Sequence, residues 1–190
     1  MSKVFDPKKL LKLESEDRYK AVPPKETLIK TGLKPEYSVA DIGCGTGFFS
    51  IPAAKYVNPN KVVAADISAE MLNFVNSRKI DEEIKNIDVV KMEPMIIPLP
   101  DNTFDFTFCS FVLHEVPDQE KYLNELLRIT KPGGRVVILE WQVIETPSGP
   151  PVNIRIEPEK LNEYIKSETV TSKEMMVIGD WFYATIAHKR

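Results

Sequence analysis

The stretch Asp41-Ile42-Gly43-Cys44-Gly45-Thr46-Gly47-Phe48 decides the fold of this 190-residue chain. It joins an apolar run, Tyr37 to Ile42, to a segment from Phe48 to Tyr56 with helical spacing. Pro52 falls in that segment's first turn, where a missing N–H costs little. Glycines at 43, 45 and 47 permit the close backbone approach that a side chain forbids. A helix beginning there offers free N–H groups and the positive end of its dipole to a ligand. The same glycines would also serve a tight strand-to-helix turn in any α/β protein.

Working outward, strands alternate with helices, the pattern of a mostly parallel sheet covered on both faces. Lys61 to Asp66 reads as the second strand, and Ser68 caps a helix over 69–79 with Met71, Leu72 and Val75 on its apolar face. Ile87 to Met92 and Phe104 to Ser110 read as the third and fourth strands, with a proline-rich loop from Glu93 to Asn102 between them. Asp118 caps a helix through Ile129 that stops at Pro132-Gly133-Gly134. Arg135 to Trp141 is nearly all apolar, which predicts a central fifth strand. Pro158 to Ser167 reads as a helix, and 171–178 and 181–188 as a closing antiparallel hairpin around Gly179-Asp180. Upstream, 7–20 reads as one or two short helices and Glu26 to Thr31 as another, ended by Gly32. The reading is one domain, 1–190, with 1–30 as a helical N-terminal lid in which Tyr19 could touch a ligand.

The balance of 25 basic and 28 acidic residues gives a net charge of −3. A weakly acidic chain without a basic cluster argues against nucleic acid as a partner. Two cysteines, Cys44 and Cys109, have neither metal-ligand nor disulfide spacing, so no metal site is expected and a reducing cytoplasm fits. The first residues lack the apolar core of a signal peptide, and no apolar run reaches the ~18 residues of a membrane span.

The spacing around the loop narrows the ligand. A dinucleotide turn needs Gly-x-Gly-x-x-Gly, and Phe48 stands at its last glycine, which disfavours a pyrophosphate and with it an NAD-dependent oxidoreductase. Asp41 is unfavourable beside phosphate but favourable beside an ammonium or a sulfonium. Asp66, about 20 residues past the loop, stands where an acid accepts hydrogen bonds from ribose hydroxyls. A helix-start acid next to Ser68 is the alternative role.

The run Asp41 to Gly47, the run Ala64-Ala65-Asp66-Ile67-Ser68-Ala69-Glu70-Met71-Leu72 and the run Ile97-Pro98-Leu99-Pro100-Asp101-Asn102-Thr103-Phe104-Asp105 resemble class I S-adenosylmethionine-dependent methyltransferases. The branch they are most similar to is that of the ubiquinone/menaquinone methyltransferases and small type 11 methyltransferase domains. Leu127 to Gly134 resembles that family's turn before its fifth strand. The resemblance implies a Rossmann-like doubly wound, mostly parallel seven-stranded sheet whose last strand runs antiparallel between its neighbours. It implies S-adenosyl-L-methionine as cofactor, with Asp41, Gly43, Cys44 and Gly45 around the methionine end, Asp66 on the ribose, and Ile67 and Met71 against the adenine. Glu93, followed by Pro94, stands where relatives place an aspartate for the adenine amino group, a departure that weakens this contact. Ser110, ending the fourth strand, lies where relatives hold the reacting methyl.

His114 follows four residues on, as a candidate general base for an acceptor hydroxyl or as a residue that orients its loop. His188, Cys109, Trp141 and Trp181 read as structural. The function so implied is methyl transfer to a small-molecule acceptor. The alternative is an S-adenosylmethionine-binding protein without catalysis, a sensor or assembly subunit. The sequence leaves a homodimer open.

Overall fold

The computed structural model describes residues 14–190, so the predicted helices before Glu14, with Leu10, Leu11 and Leu13, lie outside it. Seven strands form one sheet: β1 Val39–Ile42, β2 Val62–Asp66, β3 Ile87–Lys91, β4 Phe104–Ser110, β5 Thr130–Trp141, β6 Val170–Ile178 and β7 Phe182–Lys189. Their spatial order is β3-β2-β1-β4-β5-β7-β6. The first five are parallel, and β7 is antiparallel to both its neighbours, β5 and β6. The order reverses between β1 and β4, the switch point at which open α/β sheets bind ligands outside their strand ends.

Six α-helices complete the described part: α1 Glu16–Ala21, α2 Pro24–Lys30, α3 Ser50–Val57, α4 Ala69–Asp81, α5 Gln119–Ile129 and α6 Pro158–Tyr164. Two cores flank the sheet. One gathers Leu28 of α2, Ile51 and Ala54 of α3 and Val75 of α4 onto Val39, Phe108, Val137 and Leu139. The other gathers Leu123, Leu126 and Leu127 of α5 and Leu161 of α6 onto Ala40, Ile42, Val136 and Ile138. The alternation along β5 sends successive side chains to opposite cores, as the pleat requires.

The local signals act as read. Ser68 Oγ accepts from the Met71 N–H at 3.3 Å, and Asp118 Oδ1 accepts from the Lys121 N–H at 3.0 Å, each satisfying an orphan donor of a first turn. β5 differs: it begins at Thr130, paired with Phe104, and bulges through Pro132-Gly133-Gly134 before regular pairing resumes at Arg135 opposite Phe106. Gly133 takes φ +77, which lets the chain carry the bulge. α6 ends at Tyr164 rather than Ser167, because Ile165 is extended and turns into the core.

The N-terminal stretch is tied to the end of the chain. Lys30 Nζ donates to the Val177 carbonyl at 3.0 Å. Gly179, at φ +57, lies so near Ala21 that a Cβ there would stand 2.6 Å from the Ala21 carbonyl oxygen. No helix among the described residues is long and apolar enough to cross a membrane.

Candidate functional site

The glycine loop hangs from β2. Gly43 and Cys44 both donate their N–H to the Ala65 carbonyl, at 2.8 and 3.0 Å. Gly45 donates to Asp66 Oδ2 at 2.8 Å, and Ser68 donates its backbone N–H to Asp66 Oδ1 at 2.8 Å. Asp66 is therefore fixed in direction by two backbone donors, and each oxygen keeps lone pairs for further donors. Burial raises its carboxyl above the ordinary value, against the Ser68 and Gly45 N–H groups and Lys91, which lower it.

Asp41, next to last in β1, is only 2% exposed. Ser50 Oγ, at the start of α3, donates to its Oδ2 at 2.5 Å. Its Oδ1 is sealed from solvent and has no hydrogen-bond partner among the described residues. Burial pushes this carboxyl from 3.8 up to about 7; Ser50 opposes the rise, the charge of Asp66 adds to it, and the Arg18 cation opposes it. An unsatisfied buried oxygen is costly alone and is the kind of acceptor an ammonium would complete. Gly45, at φ +51, faces open space where a Cβ would point, so ligand atoms can approach its backbone. On both observations the residues fit the S-adenosylmethionine that the sequence implied.

The loop after β4 joins this cradle. A Cβ on Gly43 would stand 2.3 Å from Cγ2 of Val112, so only glycine lets the two loops meet. Phe111 takes φ +58, a conformation costly for a bulky side chain that persists where the surroundings enforce it. Its N–H bonds the Leu139 carbonyl at 2.8 Å, and its ring meets Trp141 and Phe182 at 5.8 and 5.1 Å.

The structure thus brings Asp41, Gly43, Cys44, Gly45, Asp66 and the loop beyond Ser110 together. Ser110 itself is buried at the end of β4, opposite Leu139. Ile67 is half-buried, its carbonyl accepting from Lys91 Nζ, and Met71 is buried in the first turn of α4. Glu93 and Pro94 are exposed in the turn beyond β3, where Glu93 bridges Ile96. That turn abuts the end of β2, since the Met92 N–H bonds the Asp66 carbonyl at 3.0 Å. Burial pushes both cysteine thiols up, which leaves them inert. His188 pairs with Glu174 at 3.2 Å on the outer hairpin. Among the described residues no cluster of His, Cys, Asp or Glu is placed to hold a metal.

Sequence reasoning missed Glu14, Arg18 and Glu140, and gave Tyr19 without its partners. Glu14 accepts from Thr46 Oγ1 and pairs with Arg78 Nη1 at 3.3 Å, which clasps the glycine loop to α4. Arg18 lies over the Phe48 ring, 4.1 Å from its centroid, and 5.5 Å from that of Phe111. Burial lowers its guanidinium to about 10, against Glu14, Tyr19 and Asp41, which raise it. Tyr19 stacks obliquely on Phe48 at 4.6 Å and donates to Glu14 at 2.8 Å. Glu140, read as part of an apolar strand, is 1% exposed and bonded to His114. A lone acid in an otherwise apolar strand was the one signal that could have found it.

Comparison with known proteins agrees with this geometry. The pattern of the type 11 methyltransferase domain matches residues 40–138. The ubiquinone/menaquinone biosynthesis C-methyltransferase UbiE of Hahella chejuensis is 38% identical over 117 residues, 60% of this chain and 47% of its own. The demethylmenaquinone methyltransferase of a Geobacillus species is 34% identical over 116 residues, 60% of this chain and 50% of its own. The chain spans about half the length of the curated relatives it matches. A crystal structure of a SAM-dependent methyltransferase from Aquifex aeolicus superposes with a TM-score of 0.91 at 32% identity, covering 98% of this chain and all of that one. With the glycine loop, the acid that ends β2 and the strand order in agreement, the chain belongs to the class I S-adenosylmethionine-dependent methyltransferases.

Proposed function

We propose that the chain transfers a methyl group from S-adenosylmethionine to a small, largely apolar acceptor. The observation that carries this reading is the paired acids on the glycine loop: Asp66 oriented by Gly45 and Ser68, and Asp41 with a buried oxygen unsatisfied. Asp66 would hold the ribose, and Asp41 with Gly43, Cys44 and Gly45 the cationic methionine end. Ile67 and Met71 would flank the adenine, with Glu93 and Pro94 beyond it and Ser110 beneath the reacting methyl. Bound there, S-adenosylmethionine supplies an electrophilic methyl carbon on a sulfonium, which departs as a neutral thioether.

The residues of this chain align, exclude water and set the electrostatics. The partly exposed rings of Phe111 and Trp141, at the ends of β4 and β5, suit an aromatic acceptor, and the names of the curated relatives suggest a quinone-type one. Residues 14–21, clasped by Glu14 and Arg18, serve as a cover of the site. α2 belongs to the body, since Thr27 and Leu28 are buried in it. Two buried free thiols accord with a cytoplasmic location.

Calorimetry with S-adenosylmethionine and with NADH tests the cofactor, and S-adenosylhomocysteine release with an acceptor panel tests turnover. NADH binding without S-adenosylmethionine binding would refute the reading. Binding without any turnover would favour a sensor or assembly role.

A further inference from the structure

β5 carries one residue that its pattern does not explain. Val136 and Ile138 point into the core under α5, and the pleat sends Glu140 to the same side, opposite Tyr183 of β7. A carboxylate there is costly to bury unless its partners give it a use. Those partners come from the short 3-10 turn Leu113–Glu115, directly after the loop that touches Gly43. His114 Nδ1 stands 2.8 Å from Glu140 Oε2, and the His114 backbone N–H donates to Oε1 at 3.2 Å. The Trp141 N–H lies 3.4 Å from Oε2.

This two-point hold sets the ring. A carboxylate facing Nδ1 keeps the proton on that nitrogen, so Nε2 carries the lone pair. The His114 side chain is 5% exposed, yet Nε2 bonds to none of the described residues and is not among the polar atoms sealed from solvent. One nitrogen is thus fixed by a buried acid, and the other keeps its lone pair unshared among the described residues. The turn begins three residues beyond Ser110, at the strand ends where open α/β sheets work on ligands.

We propose that His114 and Glu140 form a base pair of catalytic and positioning residue that takes a proton from the acceptor, which is therefore a phenol, quinol or enol. This rests on the methyltransferase reading above. The acceptor O–H bond breaks and its proton goes to Nε2. Its electron pair stays on the acceptor, available at oxygen or at the conjugated carbon for the bond to the methyl carbon, while the pair of the severed carbon–sulfur bond stays on sulfur. Burial depresses the imidazolium, but the hydrogen bond and charge of Glu140 outweigh it, Glu115 adds to them and Arg155 opposes, so the ring is a stronger base than free imidazole. The other groups facing the pair are Cys109 of β4, a buried thiol, and Tyr183 of β7, whose hydroxyl donates to the Ile156 carbonyl at 2.7 Å.

The test uses the full chain with S-adenosylmethionine and 1,4-dihydroxynaphthalene, reading S-adenosylhomocysteine release from pH 5 to 9. The His114 ring is titrated in parallel by ¹⁵N NMR on the cofactor-free protein. The native kcat/KM is expected to rise along an acid limb matching the NMR midpoint. His114→Gln should lower kcat by about 100-fold or more and remove that limb, the usual cost of losing a general base, with S-adenosylmethionine affinity unchanged. Glu140→Gln should move the limb and the NMR midpoint together to lower pH, with a lower plateau. A His114→Gln enzyme within threefold of native kcat overturns the proposal. So does a Glu140→Gln enzyme whose NMR midpoint moves while its rate limb stays, a comparison that stands even if His114→Gln does not fold. A native chain that binds S-adenosylmethionine but methylates only an amine or thiol probe overturns the acceptor class alone. One that does not bind it overturns the methyltransferase reading as well.

Discussion

Replacing Asp41 by asparagine should make the cofactor-free protein more stable, and increasingly so as pH rises. In the fold this carboxyl is buried and keeps its proton up to about pH 7, against 3.8 when unfolded. Between those values the folded chain holds more protons than the unfolded chain, so stability falls as pH increases. Each pH unit in that window is worth ~1.4 kcal/mol, so this group alone should cost the parent about 2–3 kcal/mol between pH 5 and pH 8. Asparagine keeps an acceptor for Ser50 Oγ and carries no charge to desolvate. Urea unfolding of both proteins at pH 5 and pH 8 gives the double difference, in which the titrations of other groups cancel. The Tm gap between them should widen by roughly 5–10 °C across that range, at about 2–4 °C per kcal/mol for a chain of this size. The same variant should bind S-adenosylmethionine more weakly at pH 8, where the parent offers a carboxylate to the cation. Parallel stability profiles would refute the reasoning, since they would mean that Asp41 is already ionised or solvated in the fold.

Other outcomes follow from the same contacts. Asp66→Ala should weaken S-adenosylmethionine binding by about 1–3 kcal/mol, the usual cost of removing a buried hydrogen-bond partner, and an unchanged calorimetric affinity would remove this residue from the ribose. Gly45→Ala meets open space and pays only the left-handed backbone term of ~1–2 kcal/mol, so its Tm should drop slightly while cofactor affinity falls at least tenfold. Gly43→Ala meets Val112 as well and should unfold measurably sooner than Gly45→Ala; equal Tm values would contradict the loop contact. Glu14→Ala releases Thr46 and Arg78, so amides of 16–21 should exchange hydrogen faster while those of β1 and β4 do not.

What the sequence disclosed follows the range of the forces involved. Ser68 and Asp118 cap helices through bonds three residues away, so their chemistry is written in adjacent letters. The hairpin around Gly179 and the loop of three glycines are legible for the same reason. The start of β5 is not: Thr130 and Lys131 join the sheet only because β4 lies alongside to pair them, and the bulge at Gly133 absorbs the mismatch. Of the site, Asp41 and Asp66 could be read because strand ends place them. Glu140 could not be matched to His114, 26 positions away, until β5 and the turn after β4 were set side by side. Arg18 is ordinary in sequence and acquires its place only from the rings of Phe48 and Phe111.

The contacts of Ala21 with Gly179 and of Lys30 with Val177 impose an order on biogenesis. Residues 14–30 are synthesised well before the hairpin that Ala21 and Lys30 touch. While the chain is still being made, the contacts of Glu14 with Thr46 and Arg78 and of Tyr19 with Phe48 can form, but those with Val177 and Gly179 cannot. Completion of that hairpin is the event that ties Ala21 and Lys30 to the edge of the sheet.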